Sequence, residues 1–345
     1  MKFNVYVFNI PHNAWTYTRG YLKAFQQMGL LNIGGDIHLW HDPANYPALF
    51  NNEAEYVVLI GPEHHRCNIF GSPQMRDAIL VNKKRTGKKL IAICYESSVD
   101  PFGAQAWAKA GYPWLRDNYH KYGSRSSQCY SVDGLAEQFK CFDYVFTQDE
   151  VDVQWFRNQG INAHWLPACV DAEMFRPLID KPANKAGFVG NVWWPREELV
   201  QNYPFKFDFL TVPKAPYDLP AAEQTTTDLV RAFGSYMVAV NMRSPFAGVS
   251  MRTFELMACA VMPIIYEPAP DRMQNKEIFA GWNHVHRFLE WSSQDAQKIR
   301  DNVNHLITHY EQTRERGQEN RRLVLEKHTP RHRIEQIISV LSGKA

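Results

Sequence analysis

No stretch of the chain approaches the roughly 20 apolar residues needed to cross a bilayer, so no transmembrane anchor is expected. The opening residues, MKFNVYVFNI, lack the basic start, apolar core and small-residue cleavage site of a secretory signal. Their alternation suits a first strand instead. Six cysteines are scattered without a Cys-x-x-Cys pair, which leaves no signature for a metal or disulfide framework and fits a reducing cytoplasm. Lysine and arginine number 38 against 36 for aspartate and glutamate, too small an excess for a general polyanion binder. Low-complexity tracts and solenoid repeats are missing, which excludes disordered and fibrous architectures. No Gly-x-Gly-x-x-Gly follows the first strand of either half, an argument against a dinucleotide oxidoreductase.

What the chain does contain is enough residues, 345, for two α/β domains, and short apolar runs alternating with amphipathic stretches. FNVYVFNI, TRGYLKAFQQMG, YVVLI at 56–60, a helical stretch at 73–86 and KLIAICYE form one βαβα series. A strand at Tyr144–Thr147, a helix from Glu150 to Gln159 and INAHWLPA continue it. A second series runs through KAGFVGNV, FKFDFLTV, a threonine-capped helix near 226–234, YMVAVNM, a helix at 250–259 and VMPIIYE. The expected fold is therefore α/β with two Rossmann-like, doubly wound domains facing a cleft. We place the N-terminal domain at 1–170, a linker at 171–184 and the C-terminal domain at 185–330. A C-terminal helix follows at 331–345, with a return to the N-terminal domain open to it.

The most informative stretch is Asn241 to Glu267, which reads as strand, Gly-containing loop, helix, strand. The loop Phe246, Ala247, Gly248, Val249, Ser250 feeds directly into a helix, so its backbone N–H groups and the helix dipole can receive a diphosphate, with Met251 also a candidate. Gly248 lets a ligand approach the backbone. Arg252 and Glu255 share a helix face three residues apart. They offer a cation for phosphate and a carboxylate for ribose hydroxyls, or else simply an i, i+3 surface pair.

Three ordered motifs, spanning roughly residues 145–267, resemble the group 1 glycosyltransferases. Arg252, Thr253, Phe254, Glu255, Leu256, Met257, Ala258, Cys259 is similar to the donor motif of one branch of that family, and LPACVDAEMFRP (Leu166 to Pro177) to its domain-crossing signature. FVGN, Phe188 to Asn191, is similar to the turn after the first strand of the donor domain. Over residues 1–140 the resemblance is architectural only. It implies the two-domain GT-B fold, a nucleotide-sugar donor of which a UDP-sugar is the first choice, no bound metal and retention of configuration. It further implies that Glu255 binds the donor ribose, that residues 248–252 surround the phosphates and that Gly190 with Asn191 borders the donor. Arg196 and Arg243 are the candidates for the family's further basic residues. Two departures stand out: Ala247 occupies the place of an earlier glutamate, and Ala260 that of a glycine.

In the N-terminal half, His12 in the loop after the first strand and Glu96 after LIAICY follow strand ends, where parallel sheets bind ligands. Each is a candidate to touch sugar or acceptor or to take a proton, and each is equally suited to bonding nearby backbone. His64 and His65 follow YVVLIG without a third metal ligand and read as a polar loop. Residues 103–125 interleave five aromatics with four cations, and NKKRTGKK at 82–89 adds charge. These stretches leave open a hydroxymethylated DNA base as acceptor beside a glycan or small molecule. A nucleotide-sugar epimerase and a non-catalytic glycan- or DNA-binding relative are the other readings; oligomeric state is not legible.

Overall fold

The computed structural model describes residues 1–7, 18–36, 46–62, 73–94, 137–148, 150–190, 208–210, 219–242, 251–266, 286–288 and 293–344. The chain divides into two compact units, one holding Met1–Pro167 and the residues from Arg333 onward, the other lying within Ala168–His332.

Six parallel strands build the sheet of the first unit: β1 (Phe3–Val7), β2 (Leu31–Asp36), β3 (Tyr56–Ile60), β4 (Lys89–Cys94), β5 (Tyr144–Thr147) and β6 (Ala163–Trp165). Their order is β2-β1-β3-β4-β5-β6. The described helices are α1 (Thr18–Gln27), α2 (Tyr46–Phe50), α3 (Pro73–Thr86) and α4 (Glu150–Asn158). Every residue of β1 is buried, as are the last five of β4, so both faces of the sheet are covered and the strands read as unbroken apolar runs. The polar exception in β1 is Asn4. Its side-chain amide donates to the Leu49 carbonyl at 2.7 Å and to Asn52 at 2.8 Å while accepting from Asn32 at 3.0 Å, which ties β1 to α2 and to β2.

The basic run at 82–89 lies where α3 passes into β4, at the amino end of the sheet. Lys83 donates to the Cys141 carbonyl at 2.6 Å and pairs with Asp143 at 3.0 Å. Lys89 meets the same carboxylate at 3.4 Å. Arg85 donates to Asn51 and Asn82, and Lys88 to the carbonyls of Asn52 and Ala54. Burial lowers the Lys88 ammonium from its usual value. These four cations join loops at the end of the sheet opposite to the one where parallel strands bind ligands.

The second unit has five parallel strands in the order β11-β10-β9-β7-β8: β7 (Ala183–Val189), β8 (Asp208–Leu210), β9 (Tyr236–Met242), β10 (Met262–Tyr266) and β11 (His286–Phe288). Its described helices are α5 (Leu219–Gly234), α6 (Met251–Ala258), α7 (Ser293–Thr308) and α8 (Tyr310–Lys327). Helix α5 starts at Leu219, so Thr226, read from the sequence as its cap, is an interior residue, buried at 4% exposure. Helices α7 and α8 divide one long charged stretch at His309. The last helix, α9 (Pro330–Leu341), carries Arg333, whose buried guanidinium donates from Nε to the Pro167 carbonyl at 2.7 Å within the first unit.

Helix α6 ends in a Schellman motif: Val261 N–H bonds the Leu256 carbonyl at 3.0 Å and Ala260 N–H the Met257 carbonyl at 3.0 Å. The same pattern closes α1 around Gly29 and α4 around Gly160, both with positive φ. At α6 the left-handed position belongs to Ala260, with φ 59°, where a Cβ crowds the backbone. Helix α8 passes so close that a Cβ on Gly317 would lie 2.2 Å from the Ala260 carbonyl oxygen, which explains a glycine inside that helix. Ala260→Gly is therefore expected to stabilise the second unit by about 0.5–1 kcal/mol, relief of the left-handed strain less the added unfolded-state freedom. Gly317→Ala should cost about 1–3 kcal/mol, because backbone rather than a flexible side chain must move. Urea titration followed by tryptophan fluorescence checks both signs.

Candidate functional site

In the second unit the chain leaves β7 toward β8 on one side and then returns to β9 on the other. The connections diverge at the carboxyl ends of β7 and β9, the place where an open parallel sheet leaves a crevice for a ligand. Strand β7 stops at Val189, followed by the buried Gly190, and β9 stops at Met242 after the buried Asn241. Helix α6 begins at Met251.

Two hydrogen bonds hold the amino half of α6 against these strand ends, and an ion pair within the helix and a ring contact to α5 support them. The Asn241 amide donates to Thr253 Oγ1 at 2.7 Å, with both residues almost fully buried. Arg252 Nε lies 3.0 Å from Glu255 Oε2, the i, i+3 pairing that the helix spacing allows. Arg252 Nη1 donates to the Val189 carbonyl. The guanidinium carbon sits 4.6 Å from the centre of the Phe233 ring of α5, a cation–π contact on a fully buried aromatic. The Glu255 side chain is only 5% exposed against 29% for that of Arg252, so the surface-pair reading does not apply to the carboxylate. Burying it is offset by the adjacent cation.

At its other end α6 is fixed by α8. Arg321 donates to the carbonyls of Ala258 and Phe175. Cys259 faces the same region, and burial, with the Glu255 charge adding to it, pushes its thiol well above the ordinary range. It is a packing residue, not a nucleophile. Phe254 packs its ring 5.1 Å from that of His328 on the opposite side of the helix. The arrangement can present one oriented carboxylate beside a strand end, one turn into a helix whose first N–H groups are suited to an anion.

Of the residues singled out from sequence, the fold brings Gly190, Met251, Arg252 and Glu255 together at this crevice. A Cβ on Gly190 would lie 3.1 Å from the Phe188 ring and 3.5 Å from Arg252 Nη1. Asn191, Arg196, Arg243, Gly248, Val249 and Ser250 lie outside the described residues, as do His12, Glu96, His64, His65 and the aromatic stretch 103–125. Asn241, Thr253, Phe233 and the Val189 carbonyl were not singled out. Asn241 did carry a signal, a polar residue in the apolar run YMVAVNM. Thr253 and Val189 lay inside the quoted motifs without a role of their own, and Phe233 carried no signal. Among the described residues no group of three or more His, Cys, Asp or Glu side chains is placed to hold a metal ion, and no helix is long and apolar enough to cross a membrane.

Residues 172–339 match the family described as glycosyl transferase-like. Among solved structures the chain is similar to HepE from Anabaena in complex with UDP, with a TM-score of 0.57 at 9% identity over 99% of this chain and 100% of that one. The HepE complex with UDP-glucose is similar at a TM-score of 0.57, 8% identity and the same coverages, 99% and 100%. A glycosyltransferase from Rickettsia africae ESF-5 is similar at a TM-score of 0.54 and 12% identity, over 98% of this chain and 97% of that one. No curated protein sequence matches. At these identities the structural likeness is one of fold, the two-domain GT-B architecture.

Thr253→Val removes the acceptor of the buried Asn241 amide and is expected to destabilise the second unit by about 1–3 kcal/mol. In Asn241→Leu/Thr253→Val the loss should be smaller than the sum of the two single variants, because neither member is then left unpaired. Denaturant midpoints of the three variants measure the coupling.

Proposed function

We propose that the chain is a group 1 glycosyltransferase, which transfers a sugar from a UDP-sugar to a hydroxyl acceptor with retention and without a metal. The observation that carries the donor assignment is the buried Glu255 carboxylate beside the Val189–Gly190 turn. A carboxylate there can accept hydrogen bonds from both ribose hydroxyls of a nucleotide. The choice of uridine draws on the HepE structures, which hold UDP or UDP-glucose.

We assign the diphosphate to residues 248–252, where a helix amino end is suited to an anion, with Arg196 and Arg243 as its cations. These groups would stabilise the charge that develops on the leaving diphosphate as the glycosidic bond to it breaks. Gly190 and Asn191 border the donor, the former leaving room for close approach. His12 and Glu96 are the acceptor-side candidates of the first unit. We assign the acceptor as a sugar or small-molecule hydroxyl rather than a DNA base, since Lys83, Arg85, Lys88 and Lys89 are engaged at the amino end of their sheet.

Calorimetry against nucleoside diphosphates tests the reading. UDP is expected to bind selectively, and Glu255→Ala to weaken it by about ten- to a hundredfold, the loss of charge-assisted bonds to the ribose. Turnover of UDP-glucose should survive EDTA and give a product with the donor's anomeric configuration by NMR. A folded protein that binds none of the nucleotides would overturn the assignment.

A further inference from the structure

We infer that the Arg252 side chain is a positioning group, which acts on the donor through Glu255 and the Val189–Gly190 turn, and that its guanidinium does not touch the diphosphate. This rests on the donor site proposed at Glu255. The cation that follows a phosphate-binding loop is the obvious anion ligand by position, yet its surroundings assign it a different task.

Three separate elements converge on the guanidinium. Nε meets the Glu255 carboxylate at 3.0 Å, Nη1 donates to the carbonyl of the last residue of β7, and the Phe233 ring of α5 covers the ion at 4.6 Å. The positive charge is thus already offset by a buried carboxylate, which leaves little net charge for a diphosphate. One face of the plane is stacked, and Nη1 spends an N–H on the Val189 carbonyl while Nε pairs by charge with the carboxylate. Arginine alone supplies all of this, because a lysine ammonium has neither a planar face to stack nor a fixed fork to bridge a carbonyl and a carboxylate.

The carboxylate gains most from the arrangement. A glutamate in a helix has several staggered rotamers, and the guanidinium, itself fixed at Val189 and Phe233, selects one of them. The bond from Nη1 pins the Val189 carbonyl, and with it the start of the turn at Gly190. Turn and carboxylate, which lie on different elements, are set in register by one side chain. The effect on a nucleotide is therefore an effect on its ribose.

The two roles separate by which part of the ligand feels the substitution. Full-length wild type, Arg252→Lys, Arg252→Ala, Glu255→Ala and Arg252→Ala/Glu255→Ala are titrated with UDP, and with uridine by displacement of UDP. Positioning predicts that Arg252→Ala weakens UDP and uridine by the same factor, about tenfold, and adds nothing to Glu255→Ala in the double variant. Arg252→Lys should not restore binding. A phosphate contact predicts the reverse: uridine unaffected, UDP weakened, and lysine rescuing, since an ammonium serves phosphate as a point charge. That result overturns the inference and leaves the donor site standing. Wild type that binds neither ligand overturns the donor-site reading itself. Should Arg252→Ala fail to fold by circular dichroism, Arg252→Lys and Arg252→Gln carry the same comparison of UDP with uridine.

Discussion

A parallel sheet covered on both faces has one place left for a ligand, the end where its strands stop. Both units obey this constraint, because the βα crossovers that make the strands parallel also bury the two faces. In the second unit the crossovers diverge at β7 and β9, so whatever side chains those strand ends and the following helix supply become the site. Asn241, Val189, Arg252 and Glu255 follow from that geometry. So does the isolation of the basic run in the first unit, whose cations sit at the closed end of their sheet and join its loops.

Helix α6 is held more firmly than its eight residues would suggest. An isolated helix of that length does not form in water. Here Thr253 anchors the front to β9, Arg252 spans from it to β7 and α5, and Arg321 with the Gly317 approach clamps the rear. The Schellman turn at Ala260 then sends the chain straight into β10. Rigid support of this kind is what a binding carboxylate requires, since an oriented group loses little freedom when a ligand arrives.

Much of the fold was legible because parallel strands buried on both sides are unbroken apolar runs. YVVLI and the strand at Tyr144–Thr147 have the limits that the sequence suggests. LNIGGD carries no such signal: two glycines stand where a strand would place apolar residues, and β2 exists because β1 pairs with it at the sheet edge. Helix α2 and strand β11, with five and three residues, are equally silent, set by their neighbours. At the site, the spacing of Arg252 and Glu255 made their pairing foreseeable. That Val189, 63 residues earlier in the chain, would accept from the same guanidinium was not, since no local rule connects them. Asn241 and Thr253, 12 apart on different elements, are a tertiary pair of the same sort.

The bond from Arg333 to the Pro167 carbonyl joins partners 166 residues apart in a chain that is made from one end. At a synthesis rate of roughly 5–20 residues per second, about 8–33 s separate the appearance of one from that of the other. For that interval the first unit is on the ribosome without the segment that completes it. A chain cut after its first 170 residues would carry that deficit permanently. The economical way to obtain the first unit alone is to splice the residues from Arg333 onward behind Pro167 through a flexible linker.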